Sequence, residues 1–298
     1  MKNSQFKLLL VVLSTLITAC TTNLESRQTG VIYAEELSEI SGLAASANFP
    51  GDWWLHNDGQ HGSRIYLISE HGNTLKSVEL LGVENHDWED ISRFGRQQQS
   101  WLVIGEIGDN FGKRPTIALH FLPEPGESAK TASVQHSLQL SYPDGPRDCE
   151  SMAVDPVGGY IYLLSKRDHP ARLYRISLKQ AFDNETAELE FVGEVHAIPE
   201  HTDADILADP ERGQWSDQAT AMDISADGSL IALQTYKMAM LFKREPGESV
   251  LDALNSEALT LDTSPLTQEE ALGFSLDGSY FLITTEKLPA PLLRVELR

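Results

Sequence analysis

The amino-acid sequence predicts an all-β fold, a β-propeller of five blades, each a four-stranded antiparallel sheet. An acidic or polar residue followed by two apolar runs recurs five times between positions 39 and 283, and such repeats are typical of propellers. Asp-Gly, a strong hairpin signal, joins the two runs at 227–228 and 277–278. Helical periodicity is nearly absent, and single turns are expected only at 180–186 and 249–254.

The five repeats begin at Glu39, Glu89, Glu150, Thr220 and Glu270, so the steps between them are 50, 61, 70 and 50 residues. Propeller blades repeat every roughly 40–50 residues, which leaves room for insertions in the two middle steps. Six blades is the alternative, because a longer step has room for a degenerate blade. A β-sandwich array is a second alternative, but it does not explain the acidic residues at the repeat starts.

Each repeat forms an inner pair of strands from its apolar runs and then adds outer strands. The outer strands are expected at 64–69, 74–80, 116–122, 134–141, 172–177, 188–195, 239–243, 258–261 and 292–297. The fifth repeat lacks an outermost strand, and strand 31–34 has no repeat of its own. We therefore expect the N-terminal strand to close the ring by completing the fifth blade.

The N-terminus predicts export. Lys2 and Lys7 form a basic start that precedes an apolar run at 8–17, and this run is too short to span a bilayer and typical of a signal peptide. The sequence ending at Cys20 (LITAC) resembles the lipobox of bacterial lipoproteins. The resemblance implies a signal peptide over 1–19, a lipidated (palmitate-bearing) Cys20 with a tether over 20–30, and one propeller domain over 31–298. Thr21 in place of aspartate implies the outer membrane. An ordinary secreted protein cut near Ala19 is the alternative.

The charge balance excludes several classes of function. The net charge is -21 for the chain and -23 without residues 1–19, which disfavours nucleic-acid binding and charge-driven docking on an anionic membrane. Two cysteines exclude a disulfide-rich scaffold and a four-thiolate zinc site. Cys149, between two acidic residues, is expected to be a buried structural thiol. The sequence lacks the serine-hydrolase elbow, the zincin motif and the phosphate loop.

The repeat phase predicts a ring of carboxylates. The inner strands of a propeller line its axis, so their starts converge on one face, and the ends of the second strands reach the same face. The candidate metal ligands on this face are Glu39, Asn57, Glu89, Asn110, Glu150 and Glu270. The surrounding ligand rim is expected to contain Asp58, Asp87, Asp109, Lys166, Arg167, Tyr236, Lys237, Glu286 and Lys287.

Buried like charges are costly unless they are paired, protonated or bound to metal. Three explanations for the ring stay open: neutralisation by Lys166, Arg167, Lys237 and Lys287; a Ca²⁺ ion, which prefers carboxylate and amide oxygens; or a polar pocket for a ligand. His56 and His86 are candidate general bases. Their alternative role is to hydrogen-bond a loop carbonyl.

The chain resembles bacterial propellers of the lactonase/gluconolactonase-like and phytase-like types, in which Glu, Asn and Asp residues from different blades hold an axial metal. Glu39, Asn57, Asn110 and Glu150 are similar in kind. The stretches HNDG (56–59), DWEDI (87–91) and IGDN (107–110) resemble signatures of uncharacterised secreted or lipid-anchored propellers. The phytase resemblance implies calcium ions and a phosphate-rich substrate.

Two hypotheses follow. The first is an envelope-anchored module, held in the membrane by its lipid, that binds a small molecule or an envelope protein through long loops at 114–130 and 196–214. The second is a calcium-dependent hydrolase of an ester, lactone or phosphoester, in which the axial cation polarises the substrate or a bound water and His56 or His86 moves the proton. The sequence does not decide whether the protein is an enzyme.

Overall fold

The computed structural model describes residues 24–264 and 266–297. Within them the chain forms five small, mainly antiparallel sheets arranged as the blades of a propeller, which confirms the predicted fold class. The predicted signal peptide and Cys20 lie outside the described residues.

The first three blades follow one another along the chain. Blade 1 contains β2 (Ile40–Ala45), β3 (Asp52–Asn57), β4 (Arg64–Ser69) and β5 (Thr74–Leu81). Blade 2 contains β6 (Trp88–Arg96), β7 (Gln99–Glu106), β8 (Ile117–Pro123) and β10 (His136–Ser141), and β9 (Thr131–Ser133) pairs in parallel with β5 of blade 1. Blade 3 contains β11 (Cys149–Asp155), β12 (Tyr160–Ser165), β13 (Ala171–Ser177) and β15 (Glu190–Val195).

The connections after β13 hold the helices. Helix α1 (Leu178–Asp183) precedes β14 (Thr186–Glu188), which pairs in parallel with β10 of blade 2. Helix α2 (Asp203–Ala208) and a 3-10 turn (Gly213–Trp215) lie between blades 3 and 4. Blade 4 contains β16 (Ala219–Ile224), β17 (Leu230–Thr235), β18 (Met238–Lys243) and β19 (Leu259–Asp262), with α3 (Val250–Leu254) before β19. The two expected helical turns thus correspond to α1 and α3.

The N-terminal strand closes the ring. Blade 5 contains β20 (Glu269–Phe274), β21 (Tyr280–Thr285), β22 (Ala290–Glu296) and, at its outer edge, β1 (Ser26–Ile32). Strands β1 and β22 pair antiparallel, with Ile32 opposite Ala290. The innermost strands contact their neighbours in the order β2, β6, β11, β16, β20 and back to β2. Residues 26–30, which the sequence analysis assigned to the tether, belong to this closing strand.

Large apolar side chains fill the space between blades. Trp53, Trp54 and Trp88 are fully buried, so these tryptophans pack between sheets, as aromatic side chains with large apolar surfaces do. Burial also raises the pKa of the Cys149 thiol to about 12. The expected structural role of this cysteine agrees with its position inside the core.

The inner strand of every blade has an irregular register near its start, which is typical of a β-bulge. The extra residue of the bulge is Gly42 in blade 1. In blades 2 to 5 it is, in order, Glu89, Glu150, Thr220 and Glu270. The prediction that Glu39 belongs to this set is wrong, because Gly42 occupies the equivalent position three residues later. At Gly42 the backbone has φ +68°, and a Cβ would lie 2.7 Å from the amide nitrogen of Ile91.

The two long connecting segments contain regular structure. Strand β8 lies within 114–130, and α2 and the 3-10 turn lie within 196–214. Thr202 caps α2, and its side chain and that of Asp205 form a reciprocal capping box. No helix in the described part of the chain is long and apolar enough to cross a membrane.

Candidate functional site

Three glutamates from the bulge positions meet at one end of the propeller axis. Glu89, Glu150 and Glu270 are 3%, 5% and 7% exposed. The amino group of Lys166, which follows β12, donates to Glu150 and to the hydroxyl group of Tyr236, the latter over 2.9 Å. The Tyr236 hydroxyl in turn donates to Glu270 over 2.7 Å. We call Glu89, Glu150, Glu270, Lys166 and Tyr236 the axial cluster.

The axial cluster contains more carboxylates than cations. Burial raises the pKa of Glu150 to about 7, although Lys166 opposes the shift. Burial is the main cause that raises the pKa values of Glu89 and Glu270 well above their usual range, and the charge of Glu150 is the second cause. One ammonium group cannot neutralise three carboxylates in this environment. Bound protons or a bound cation must therefore compensate the remaining negative charge near neutral pH.

A second set of carboxylates adjoins Glu89. Oxygen atoms of Asp58, Asp87 and Glu89 all lie within 4.8 Å of one another, and the Glu89 carboxylate accepts no hydrogen bond from the described residues. Burial, with the charge of Asp58 as the second cause, raises the pKa of Asp87 to about 6. A Cβ at Gly108 would lie 2.2 Å from Glu89 Oε1, so a larger residue there would displace this carboxylate. Among the described residues, these three place their oxygen atoms close enough together to hold a cation.

The other three predicted metal ligands lie apart from the cluster. Glu39 is more than one-third exposed and pairs with Lys287 over 3.4 Å. The side-chain amide of Asn57 donates to the carbonyl of Glu36 over 2.7 Å and accepts from the Glu39 amide over 3.3 Å. Asn110 is exposed and accepts a hydrogen bond from Arg167. The structure therefore brings together Glu89, Glu150 and Glu270, but not Glu39, Asn57 or Asn110.

The two candidate general bases occupy different environments. His56 is fully buried and meets the Trp88 ring edge to face, and burial lowers its pKa to about 4. The prediction that His56 lies on the rim is wrong, because its side chain is buried between blades 1 and 2, against Trp88 of β6. His86 is exposed at the rim, with its Nε2 atom 3.4 Å from Glu84. Its amide donates to Glu106 over 3.1 Å.

The remaining predicted rim residues form ion pairs around the mouth of the axis. Arg167 donates to Asp148 over 2.6 Å, Lys237 to Asp205 over 3.0 Å, and Lys287 pairs with Glu286. Asp109 accepts from the Arg114 amide over 2.7 Å. Basic residues thus neutralise part of the acidic rim, in agreement with the first of the three explanations. The axial carboxylates stay in excess.

A cavity of about 630 Å³ opens beside the axial cluster, above blades 3 to 5. Lys166 and Tyr236 form its boundary with the axial glutamates. The segment 205–218, which contains α2 and the 3-10 turn, forms the opposite wall. The lining includes four cations (Lys166, Arg167, Arg212 and Lys237), Trp215, Tyr236, Ser216, Gln218, Ser264, Thr267 and Gln268. This volume lies within the range of small-molecule sites.

Sequence reasoning missed Arg212, Trp215, Ser216 and Gln268. Arg212, Trp215 and Ser216 belong to the segment inserted between the third and fourth repeats, so the repeat pattern gave them no position, whereas Gln268 directly precedes β20 of blade 5. The 70-residue step between the third and fourth repeats is the signal that marks the insertion.

Neither the family models nor the curated proteins contain a match to this chain. The resemblance to lactonase-like and phytase-like propellers therefore has no support from a known relative.

Proposed function

We propose that this protein is a binding module of the bacterial cell envelope, anchored in the outer membrane by a lipid on Cys20, that holds a small anionic ligand in the cavity beside the axial cluster. The anchor rests on the sequence alone, on the apolar run at 8–17 and the lipobox-like segment that follows it. The ligand site rests on the cavity.

The observation that carries the ligand proposal is the local charge of the cavity. The chain has a net charge of -21, yet four basic side chains line this one cavity against two acidic ones, Asp205 and Asp209. Lys166, Arg167 and Lys237 pair with carboxylates, and Arg212 has no ion pair with the described residues. A concentration of cations in an otherwise acidic surface attracts anions and raises their local concentration.

A thermal-shift panel tests the ligand proposal. Inorganic phosphate, citrate, glucose 6-phosphate and N-acetylated amino acids represent the main classes of small anions. A ligand at 100 times its Kd adds about 2.7 kcal/mol to the free energy of unfolding, which raises Tm by several degrees in a chain of this size. Arg212→Ala should remove the shift, and Arg27→Ala, on the outer strand β1, should leave it intact. A panel in which no anion raises Tm contradicts the proposal.

Metabolic labelling with a palmitate analogue tests the anchor. The full-length chain should incorporate the label and sediment with the outer membrane. Cys20→Ser should abolish both. A labelled Cys20→Ser variant, or an unlabelled wild type, contradicts the assignment.

The acidic set formed by Asp58, Asp87 and Glu89 favours a second candidate, a calcium-dependent hydrolase. Three carboxylates whose oxygen atoms lie within 4.8 Å of one another are suited to a hard divalent cation, and a cation held there would polarise the oxygen of an ester, lactone or phosphoester, or of a bound water. Of the two predicted general bases, His86 is the one that lies at the rim, where it could move a proton. Calcium should raise Tm in the wild type and not in Glu89→Gln. Chelation that changes neither Tm nor hydrolysis of model esters removes this candidate.

A further inference from the structure

The N-terminal chain enters the propeller at the end opposite to the cavity. Strand β1 begins with Ser26, which pairs with Val295 of β22. Across the same blade, Val295 is level with Phe274, the last residue of β20. Glu270 of the axial cluster lies near the start of β20, and a strand rises about 3.3 Å per residue, so the two levels are about 13 Å apart. We call the Ser26 end of the propeller the lower face.

Contacts to blades 4 and 5 fix the chain just before β1. The amide of Leu24 donates to the carbonyl of Thr260 in β19 over 3.0 Å. The side chain of Leu24 is partly buried and packs against the apolar cluster that contains Leu241, Phe274 and Val295. The described chain is therefore held against the lower part of these two blades from Leu24 onward.

The proposed lipid attachment site is close to this contact along the chain. Cys20 precedes Leu24 by four residues. An extended chain covers at most about 3.6 Å per residue, so the backbone of Cys20 lies within about 14 Å of Leu24. To reach the level of the cavity mouth, the same segment would have to run back along all of β1, whose seven residues span about 20 Å. The anchor is too short to reach that end of the propeller.

We infer that the lipid on Cys20 holds the lower face of the propeller toward the bilayer, and that the cavity therefore opens away from the membrane into the aqueous phase. The inference rests on the proposed anchor and adds an orientation to it. It also narrows the ligand class of the cavity to water-soluble anions, because a lipid of the same membrane does not reach the cavity mouth.

The short tether, rather than an affinity of the lower face for lipid, sets this orientation. Two hairpin turns on the lower face expose Asp227 and Asp277. Hydrogen bonds from Ser279 and Ser275 lower the pKa of Asp277 to about 2, and serines of its own turn donate to Asp227 in the same way. Both carboxylates are charged at neutral pH and do not favour contact with an anionic bilayer. The orientation should therefore depend on the length of the tether.

Fluorescence quenching on vesicles tests the inference. The lipidated full-length protein is purified from membranes and added to phosphatidylcholine vesicles that contain a lipid with a nitroxide headgroup. A bimane label is attached to one introduced cysteine, either Glu257→Cys, before β19 on the lower face, or Gln214→Cys, in the cavity wall; both positions are exposed. Cys149 is buried and the lipid occupies the thiol of Cys20, so neither takes the label. The label at 257 should be quenched several-fold more strongly than the label at 214.

A longer tether is the control for this experiment. Inserting about twenty glycine and serine residues before Leu24 gives a linker with an r.m.s. reach of about 25 Å, which should bring the two labels to equal quenching. Quenching at 214 that equals or exceeds the quenching at 257 with the native tether overturns the orientation, while the anchor stands. A difference that persists with the long linker means that the lower face itself binds lipid, and it overturns the tether as the cause. If no lipid is found on Cys20, the anchor and the orientation are both wrong.

Discussion

The ammonium group of Lys166 lies 2.9 Å from the hydroxyl group of Tyr236, and this contact separates the axial glutamates from the cavity. Burial alone would lower the pKa of Lys166, but Glu150, Glu270 and Glu89 together raise it above its usual range. The lysine therefore stays charged, and it serves both as the counter-ion of the glutamates and as part of the cavity wall.

Replacing this lysine should destabilise the fold. Lys166→Met keeps the length of the side chain but removes the one ammonium group that contacts Glu150. Breaking a buried ion pair from one side costs about 3–5 kcal/mol, so we expect a loss of this order in urea unfolding at pH 8. At pH 5 the loss should be smaller, because the glutamates are then protonated.

Two further variants control the Lys166 experiment. Adding Glu150→Gln to Lys166→Met should restore part of the lost stability, because it removes the unpaired charge. Lys179→Met, at an exposed pair with Asp183 on α1, should leave the unfolding curve unchanged. A loss in Lys166→Met that is equal at pH 5 and pH 8 would mean that lost packing, rather than charge, is responsible.

Glu269 should make the stability of the protein fall as the pH rises. Its carboxyl group is fully buried, and burial raises its pKa to about 8, although hydrogen bonds to its own amide and to the Thr263 side chain oppose the shift. The folded state thus binds the proton more tightly than the unfolded state, whose pKa is near 4.5. The stabilisation is complete below pH 4.5 and is lost as the pH rises through 8.

Urea unfolding of Glu269→Gln between pH 5 and pH 9 measures this effect. The amide stays neutral, so the variant should lose less stability than the wild type on going to pH 9. Each unit of pKa shift corresponds to about 1.4 kcal/mol, so the difference should reach several kcal/mol. Glu257→Gln, at an exposed position, should follow the wild type. Parallel wild-type and Glu269→Gln curves would rule out an effect of this carboxyl group.

The fold could be predicted from the sequence because the same pattern of two apolar runs recurs in every blade. The axial site could be predicted only in part. The segment that begins at Glu39 resembles the segment that begins at Glu89 in amino-acid sequence. The bulge in blade 1 lies at Gly42, however, so Gly42 is the residue that is structurally equivalent to Glu89. His56 and Asn57 are adjacent in β3, so their side chains point to opposite faces of the blade, and no repeat pattern indicates which one faces the core.

The cavity could not be predicted, because its outer wall depends on tertiary contacts of an inserted segment. Lys237, between β17 and β18 of blade 4, donates to Asp205 in α2 and to the carbonyl of Glu200. These contacts hold the segment over the axis. Nothing in the spacing of the insertion specifies that position.

The bulge glycine of blade 1 should be intolerant of any side chain. Gly42→Ala places a methyl group 2.7 Å from the Ile91 amide nitrogen, at a φ of +68°. Gly51 has a φ of +96° with nothing within 4 Å of its Cβ position, so Gly51→Ala measures the backbone strain alone. Such strain costs about 1–3 kcal/mol. We expect Gly42→Ala to lower the free energy of unfolding by clearly more than Gly51→Ala. If Gly42→Ala and Gly51→Ala lower the free energy of unfolding equally, blades 1 and 2 can move apart at this contact without cost.

Removing the closing strand should open the ring. Deletion of residues 1–32 eliminates β1 and leaves β22 as an unpaired edge, a known cause of aggregation. Ile32 is fully buried, and losing its burial alone removes about 1.5–3 kcal/mol. Since each kcal/mol shifts Tm by roughly 2–4 °C in a chain of this size, Tm should fall by more than about 5 °C.

Deletion of residues 1–23 is the matched control for ring closure. This shorter deletion retains all of β1 together with Leu24, whose amide donates to the Thr260 carbonyl over 3.0 Å. Its Tm should equal that of the chain without the signal peptide. A synthetic peptide covering 24–34 should restore part of the Tm of the longer deletion, because β1 binds through strand pairing with β22. If the variants that lack residues 1–32 and 1–23 melt at the same temperature, the closing strand contributes nothing to stability. Contacts among the inner strands then hold the ring together.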